Sequence, residues 1–345
     1  LLDKRTRKPL IVPIFIPFQG CPQRCVYCEQ EKITDQPVRA LDRAAVEHTL
    51  EMAIRSARYN PGRDREIAFY GGTFTGLPLE RMLDLLQIVT PYIQRGLFNS
   101  IRISTRPDAV DVERLKVLKM FSVSAVELGT QSMNDQVLTL AKRGHTAEDT
   151  VRAVRLLREF AFQVGIQLMP GLPGDSGTTF RETVEEVVRL RPDMVRLYPT
   201  LVIRGTELAE WHKEGKYQPL QLEEAVSICR CSCKRLEGAG VPVIRIGLMS
   251  SPSLMEKGQI VAGPWHEAFG HLVRSEIHFE KIRSCLPKNG ELPEMRLRVP
   301  PTEVSLVRGH KNAGLRRIES VTGAKVVEVC PDSSVPSGYL RVKKL

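Results

Sequence analysis

The chain has 345 residues, 42% hydrophobic and 26% charged, enough apolar material for a large core and no charge excess of the kind that keeps a chain disordered. No apolar run approaches the roughly 18–20 residues of a membrane span, and the basic opening LLDKRTRKPLIVPIFIPF lacks a small-residue cleavage site, so a cytoplasmic protein without a membrane association is expected. Lysine and arginine outnumber aspartate and glutamate by 50 to 40, and residues 280–345 hold 13 basic and 7 acidic side chains. Such a localised basic excess suits a polyanionic partner.

Short β-branched runs alternate with amphipathic stretches along most of the chain. The pattern predicts strands at 10–18, 66–72, 100–105, 124–130, 162–169, 193–200 and 241–247, with helices at 42–56, 79–93, 112–120, 147–160, 178–190 and 222–237. Alternating βα units imply a parallel sheet. Polar or glycine-containing clusters recur at the strand C-terminal ends (GGT, STRPD, GTQS, QLMPGLPG, YPT), which favours a TIM-type barrel, partial or full, whose strand ends converge on one mouth. An open doubly wound sheet would use only the few ends near its switch point. The rhythm breaks near residue 248. The expected organisation is therefore an α/β barrel over 1–248, a connecting helical segment over 249–293 and a small basic α+β module over 294–345, with short strands around one basic helix.

Eight cysteines in a chain of this length are too few for a disulfide scaffold. Three of them, Cys21, Cys25 and Cys28, fall within eight residues directly after the first predicted strand, which places three thiols on one loop at the barrel mouth. A structural zinc site wants four ligands and no fourth is near. A three-cysteine loop leaves one iron of a [4Fe-4S] cube open to an exogenous ligand. Cys229, Cys231 and Cys233 lie in a predicted helix, where they read as small packing residues, and Cys285 and Cys330 read as structural. Trp265-His266 follows the barrel, and Trp211 and His212 suit a surface helix near its mouth.

The C-x3-C-x-aromatic-C loop resembles that of the radical S-adenosylmethionine (SAM) superfamily. The resemblance implies a [4Fe-4S] cluster on Cys21, Cys25 and Cys28, S-adenosylmethionine chelated by the open iron, reduction by a donor such as flavodoxin or ferredoxin, and cleavage of the sulfonium to a 5′-deoxyadenosyl radical. It further places Tyr27 near the adenine, Gly71-Gly72-Thr73 against the methionine amine, Ser104 and Gln131 near ribose or methionine, and Arg143 on the methionine carboxylate, for which a bidentate guanidinium is suited. Gln167 stands where some relatives carry a ribose-binding acid, a departure from that pattern.

GGTFTGLP (71–78), ELGTQS (127–132), KRGHT (142–146), MPGLPG (169–174) and above all YPTLVIRGTEL (198–208) resemble the radical domain of the Elongator catalytic subunit over about residues 11–245. That resemblance implies action on a base of tRNA. About 100 residues follow the barrel, too few for an acetyltransferase domain, so a radical domain without that activity is expected. The segment Gly309-His310-Lys311-Asn312 through TGAKV resembles a KH module, whose GXXG loop clamps single-stranded RNA. It implies that His310, Lys311, Arg316 and Arg317 face phosphates, with Asn312 in the last glycine's place because asparagine tolerates left-handed geometry. Two alternatives stand beside this reading: a radical enzyme for a small carboxylate of the porphyrin type, and a non-enzymatic RNA-binding protein with a structural or redox-sensing cluster.

Overall fold

The computed structural model describes residues 9–37 and 41–344; most of the basic opening, residues 1–8, lies outside them, as do 38–40 and 345. Chain contacts divide into two compact units, one running to Gln221 and including Leu236–Pro264, the other made of Leu222–Arg235 and the chain from Trp265 onward.

The first unit takes β1 (Leu10–Phe15), α1 (Gln30–Thr34), α2 (Arg43–Arg55), β2 (Arg65–Tyr70), α3 (Leu79–Gln94), β3 (Ser100–Thr105), α4 (Val112–Met120), β4 (Val123–Gln131), α5 (Asp135–Leu140), α6 (Ala147–Glu159), β5 (Gln163–Leu168), α7 (Gly177–Leu190), β6 (Met194–Leu197), β7 (Val202–Ile203) and α8 (Glu207–Lys213). α9 (Leu222–Gly238), β8 (Val243–Ile246), α10 (Pro252–Met255) and β9 (Ile260–Ala262) follow. Strands β1 to β6 and β8 form one parallel sheet in sequence order, a singly wound, curled partial barrel in which β1 and β8 are edges. Pro13 interrupts the edge strand β1. Asp42, Asp111, Thr146 and Ser176 each accept a backbone N–H at the start of a predicted helix, and Asn134 does the same for α5, the N-cap arrangement that satisfies a first-turn donor.

All seven predicted barrel strands form. The boundary expected at residue 248 does not fall there. β9 pairs antiparallel with β7, Val202 opposite Ala262, and Ser251 Oγ donates to the Lys32 carbonyl at 2.5 Å; these bonds tie 249–264 to the barrel. Most of α9 belongs instead to the second unit, where Arg230 and Lys234 both pair with Glu280.

The second unit adds α11 (Phe269–Ile282), β10 (Glu294–Val299), α12 (Val304–Arg308), α13 (Ala313–Thr322), β11 (Lys325–Pro331) and β12 (Arg341–Lys344). β10 is central, parallel to β11 and antiparallel to β12. Met295, Leu297, Val299, Val307, Ile318 and Phe279 share its apolar core. The basic helix expected here is α13, and the short α12 precedes it. Gly309 (φ +66°), Lys311 (φ +48°) and Asn312 (φ +61°) take left-handed backbone between α12 and α13, which no continuous right-handed helix admits.

Candidate cofactor site

The loop after β1 and the turn after β2 lie backbone against backbone. A Cβ on Gly72 (φ +58°) would come within 2.3 Å of the Gln19 carbonyl oxygen, and one on Gly20 (φ +71°) within 2.2 Å of the Thr73 carbonyl oxygen, so both positions require glycine. Thr73 N–H donates to the Gln19 carbonyl at 2.8 Å. Gln30 clasps the pair: its Oε1 accepts from Phe18 N–H at 2.5 Å and from Gly72 N–H at 2.7 Å. Gly71-Gly72-Thr73 therefore holds the cysteine loop in place, and the Gly72 N–H is already used.

Each thiol of that loop has its own neighbour. Cys21 Sγ lies 3.3 Å from Thr73 Oγ1, Cys28 Sγ accepts from Gln30 Nε2 at 3.5 Å, and Cys25 Sγ accepts from Arg143 Nη1 at 3.0 Å. Among the described residues no three His, Cys, Asp or Glu side chains converge on a single point. Burial, with the Cys25 thiol beside it, pushes Cys28 up to about 12, and burial also raises Cys21.

Arg143 is 6% exposed. Its guanidinium reaches Cys25, the Tyr27 hydroxyl at 3.3 Å and the Gly129 carbonyl, while its buried Nε has no partner. Burial alone would lower its pKa, but the facing Tyr27 and Cys25 more than offset this and leave it raised. Three cysteines beside a permanently charged guanidinium with an unfilled donor fit an anionic thiolate cluster and an anionic ligand next to it. Tyr27 is packed in the apolar cluster with Val26, Val137, Met169 and Leu208.

The strands present two faces. Ile67, Phe69, Ile101, Ile103, Val126, Leu128, Val164, Ile166, Val195 and Leu197 are buried on one. The alternate positions share the other, where the register sets Ser104 beside Glu127, Glu127 beside Gly165 and Gln167 beside Arg196. Gln131 sits at the end of this face, where the register shifts, in left-handed backbone (φ +68°). It accepts from Gln167 Nε2 at 3.1 Å. Ser104, Gln131 and Gln167 thus lie on the face that carries Gly129, the anchor of Arg143.

Sequence reasoning missed the ionic network farther down that face. Glu127 accepts from Tyr70 Oη at 2.9 Å, Arg102 Nη1 at 3.0 Å and Arg196 Nη2 at 2.9 Å. Arg102 also pairs with Glu66 at 2.7 Å, and Arg196 donates to Tyr198 Oη at 3.1 Å. The signal was present: Glu66, Arg102, Glu127 and Arg196 each stand within or at the edge of the apolar run of a predicted strand.

His145, two residues beyond Arg143, is 4% exposed, with Nε2 3.2 Å from the Thr130 carbonyl and Nδ1 unpartnered. Burial and the Arg143 charge, with Arg106 adding and Asp108 opposing, push its pKa down to about 4. Between about pH 6.5 and pH 4 the unfolded chain therefore binds a proton that the folded one refuses, and stability falls with pH across that window by about 3 kcal/mol from this ring. Urea midpoints from pH 7 to pH 4.5 should drop less steeply in His145→Asn than in the parent; equal slopes would exclude His145 as the cause.

In the second unit, Gly309–Asn312 joins two helices, as the resemblance to a GXXG loop implies, and Asn312 takes the left-handed backbone expected of it. Lys311 is exposed, and Arg316 Nη1 donates to the Lys311 carbonyl at 2.8 Å. His310 packs edge-on against His266, ring centres 4.6 Å apart. Arg317 is committed to Glu276 and lies 4.1 Å over the Phe279 ring. Trp211 and His212 lie on α8, with Trp211 against the apolar cluster of the cysteine loop. Cys229 and Cys233 are buried and Cys231 is exposed.

The profile of the radical SAM superfamily matches residues 15–187, and that of the Radical_SAM C-terminal domain residues 192–278. The tRNA uridine(34) acetyltransferase of Methanocaldococcus jannaschii is 40% identical over 129 residues, 36% of this chain and 24% of that protein. Elongator complex protein 3 of Bos taurus is 27% identical over 362 residues, 93% of this chain and 63% of that one. Among solved structures, the archaeal Methanocaldococcus infernus Elp3 with an N-terminal deletion superposes with a TM-score of 0.57 at 26% identity, covering 79% of this chain and 62% of that chain. The chain thus spans about a quarter of the first relative and less than two thirds of the other two. No helix among the described residues is long and apolar enough to cross a membrane. A cysteine loop clasped to a glycine turn at the mouth of a partial parallel barrel, and a profile match over half of the sequence, lead to one conclusion: this chain belongs to the radical SAM superfamily of enzymes.

Proposed function

We propose that this chain is a radical SAM enzyme that acts on a base of tRNA, with a [4Fe-4S] cluster on Cys21, Cys25 and Cys28 and S-adenosylmethionine beside it. The observation that carries the reading is Arg143, a buried guanidinium with one unfilled donor, held by the Gly129 carbonyl next to Cys25. When bound, the cluster and S-adenosylmethionine, reduced by a carrier such as flavodoxin or ferredoxin, supply one-electron chemistry able to remove hydrogen from an unactivated C–H bond. The chain's own residues do the positioning. Arg143 offsets the charge of the thiolates and offers its Nε to a carboxylate. The Gln30 clasp fixes the cysteine loop on the Gly71–Thr73 turn, whose carbonyls are suited to an amine. Ser104, Gln131 and Gln167 offer hydroxyl and amide groups for ribose and methionine, and Tyr27 closes the site from the core. The names of the tRNA-modifying relatives support tRNA as the substrate, and the basic loop Gly309–Asn312 with Arg316 supports a role for the second unit in holding it; Arg317, already paired with Glu276, offers its planar face rather than a free charge.

The test is anaerobic reconstitution with iron and sulfide, followed by S-adenosylmethionine and reductant with and without total tRNA, reading 5′-deoxyadenosine. Stimulation by tRNA well above the uncoupled rate is expected, and no effect of tRNA would remove RNA as substrate. In the double variant Lys311→Glu, Arg316→Glu, tRNA affinity should fall about tenfold or more at low salt and the salt dependence should flatten, as read by filter binding; unchanged affinity would remove this loop from the RNA path.

A further inference from the structure

The second unit contains a cavity of about 590 Å³ that the radical chemistry does not use. Its floor is apolar, with Val226 from α9, Leu272 and Phe279 from α11 and Ile318 from α13. Its walls are polar: Ser227 and Ser275 face it, with the Arg317–Glu276 pair beside them. Gly309, His310, Ala313 and Gly314 line it where α13 begins. That helix has ten residues, no acidic side chain in its first turn, and an N-cap, Asn312, whose side chain makes no capping bond. Its positive end is uncompensated and favours an anion.

Two further observations point to a ligand with more than an anionic end. His278 lines the cavity and is 4% exposed, yet its Nε2 has no protein partner; the ring is steered from the other side by Glu303, 3.7 Å from Nδ1. The Arg317 guanidinium lies over Phe279 and is pinned by Glu276, which presents a planar cation as a stacking surface, the platform on which unstacked bases rest. A phosphate alone would leave the apolar floor unfilled, and a hydrocarbon chain would strand the serines and the ion pair. A base with its sugar phosphate satisfies all three parts, and the volume lies within the range of about 300–1,000 Å³ typical of small-ligand sites.

We propose that this cavity binds one nucleotide unit, its base against Arg317 and its phosphate at the start of α13, supplied by a single-stranded RNA or as a free nucleotide. The strand form deepens the RNA reading above and rests on it; the free form does not.

The experiment uses the full chain, with a fluorescent adenylate hexamer titrated by anisotropy and adenosine monophosphate or inorganic phosphate as competitor, and adenosine monophosphate binding followed separately by calorimetry. Ser275→Trp fills the cavity and Arg317→Lys keeps the charge but removes the planar stack. Each should weaken adenosine monophosphate about tenfold, with phosphate alone a far poorer competitor. Hexamer binding that weakens in parallel identifies the strand as the source, and nucleotide binding without hexamer binding identifies the free form. Should Ser275→Trp lose its circular dichroism signal, Arg317→Lys decides. Adenosine monophosphate that binds both variants as it binds the parent, does not bind at all, or is matched by phosphate overturns the site. Failure of the tRNA reading shows separately, as 5′-deoxyadenosine production indifferent to tRNA.

Discussion

Alanine at Cys21, Cys25 or Cys28 is expected to reduce iron retention and S-adenosylmethionine cleavage to background while leaving the chain folded, whereas alanine at Cys285 leaves both intact. The three thiols stand on a loop fixed from outside, by Gln30 and by the Thr73–Gln19 backbone bond, so the loop does not depend on a metal for its course. What it lacks without metal is charge: burial keeps Cys28 protonated, its pKa pushed up to about 12, and ligation has to displace that proton. Iron content and visible absorbance after anaerobic reconstitution, read alongside far-ultraviolet circular dichroism, check the expectation. A variant of any one of the three that retains full iron and activity would remove that residue from the cluster.

Glu127→Gln is expected to cost about 3–5 kcal/mol of stability, because it leaves the buried Arg196 guanidinium without a carboxylate and Arg102 with Glu66 alone. Glu127 is the hub: its side chain is 7% exposed, and it meets Arg102 at 3.0 Å and Arg196 at 2.7 Å. Glu66 compensates Arg102 alone. Tyr70→Phe, which removes a neutral donor to the same oxygen and an acceptor for Arg196 but leaves every charge paired, should cost less, about 1–2 kcal/mol. Urea unfolding at pH 7 separates the two. A Glu127→Gln loss no larger than that of Tyr70→Phe would mean that water or a rearranged Arg196 takes over the charge.

The contrast between these two sites shows what was legible in the sequence. The cysteine loop was legible because its ligands are local, with three cysteines in eight residues after a β-branched run. The seven strands were legible for the same reason, since each carries its own apolar run. Glu127, Arg102 and Arg196 make sense only across strands far apart in sequence, and a single charged residue in an apolar run looks like noise until the register sets it beside its partners. The fusion of 260–262 to the barrel depends on a two-residue pairing with Val202 and Ile203, too short to leave a pattern. The loop before α13 was legible, because Gly309 and Asn312 marked it and a basic helix was expected to follow; the five-residue α12 ahead of it is too short to leave a periodic pattern.

One consequence of the sheet's incompleteness reaches beyond the site. Leu10 N–H donates to the Asp64 carbonyl and Ile16 N–H to the Tyr70 carbonyl, so even-numbered residues of β1 turn their donors toward β2 and odd-numbered ones turn them away. Pro13 is odd and has no donor, which places a gap in the middle of the outward ladder. The opposite edge, β8, is four residues long and carries Arg245. An unclosed barrel pays for its wide mouth with two strands that could template fibril-like pairing between molecules, and this chain discourages such polymerisation with one proline and one short, charged strand.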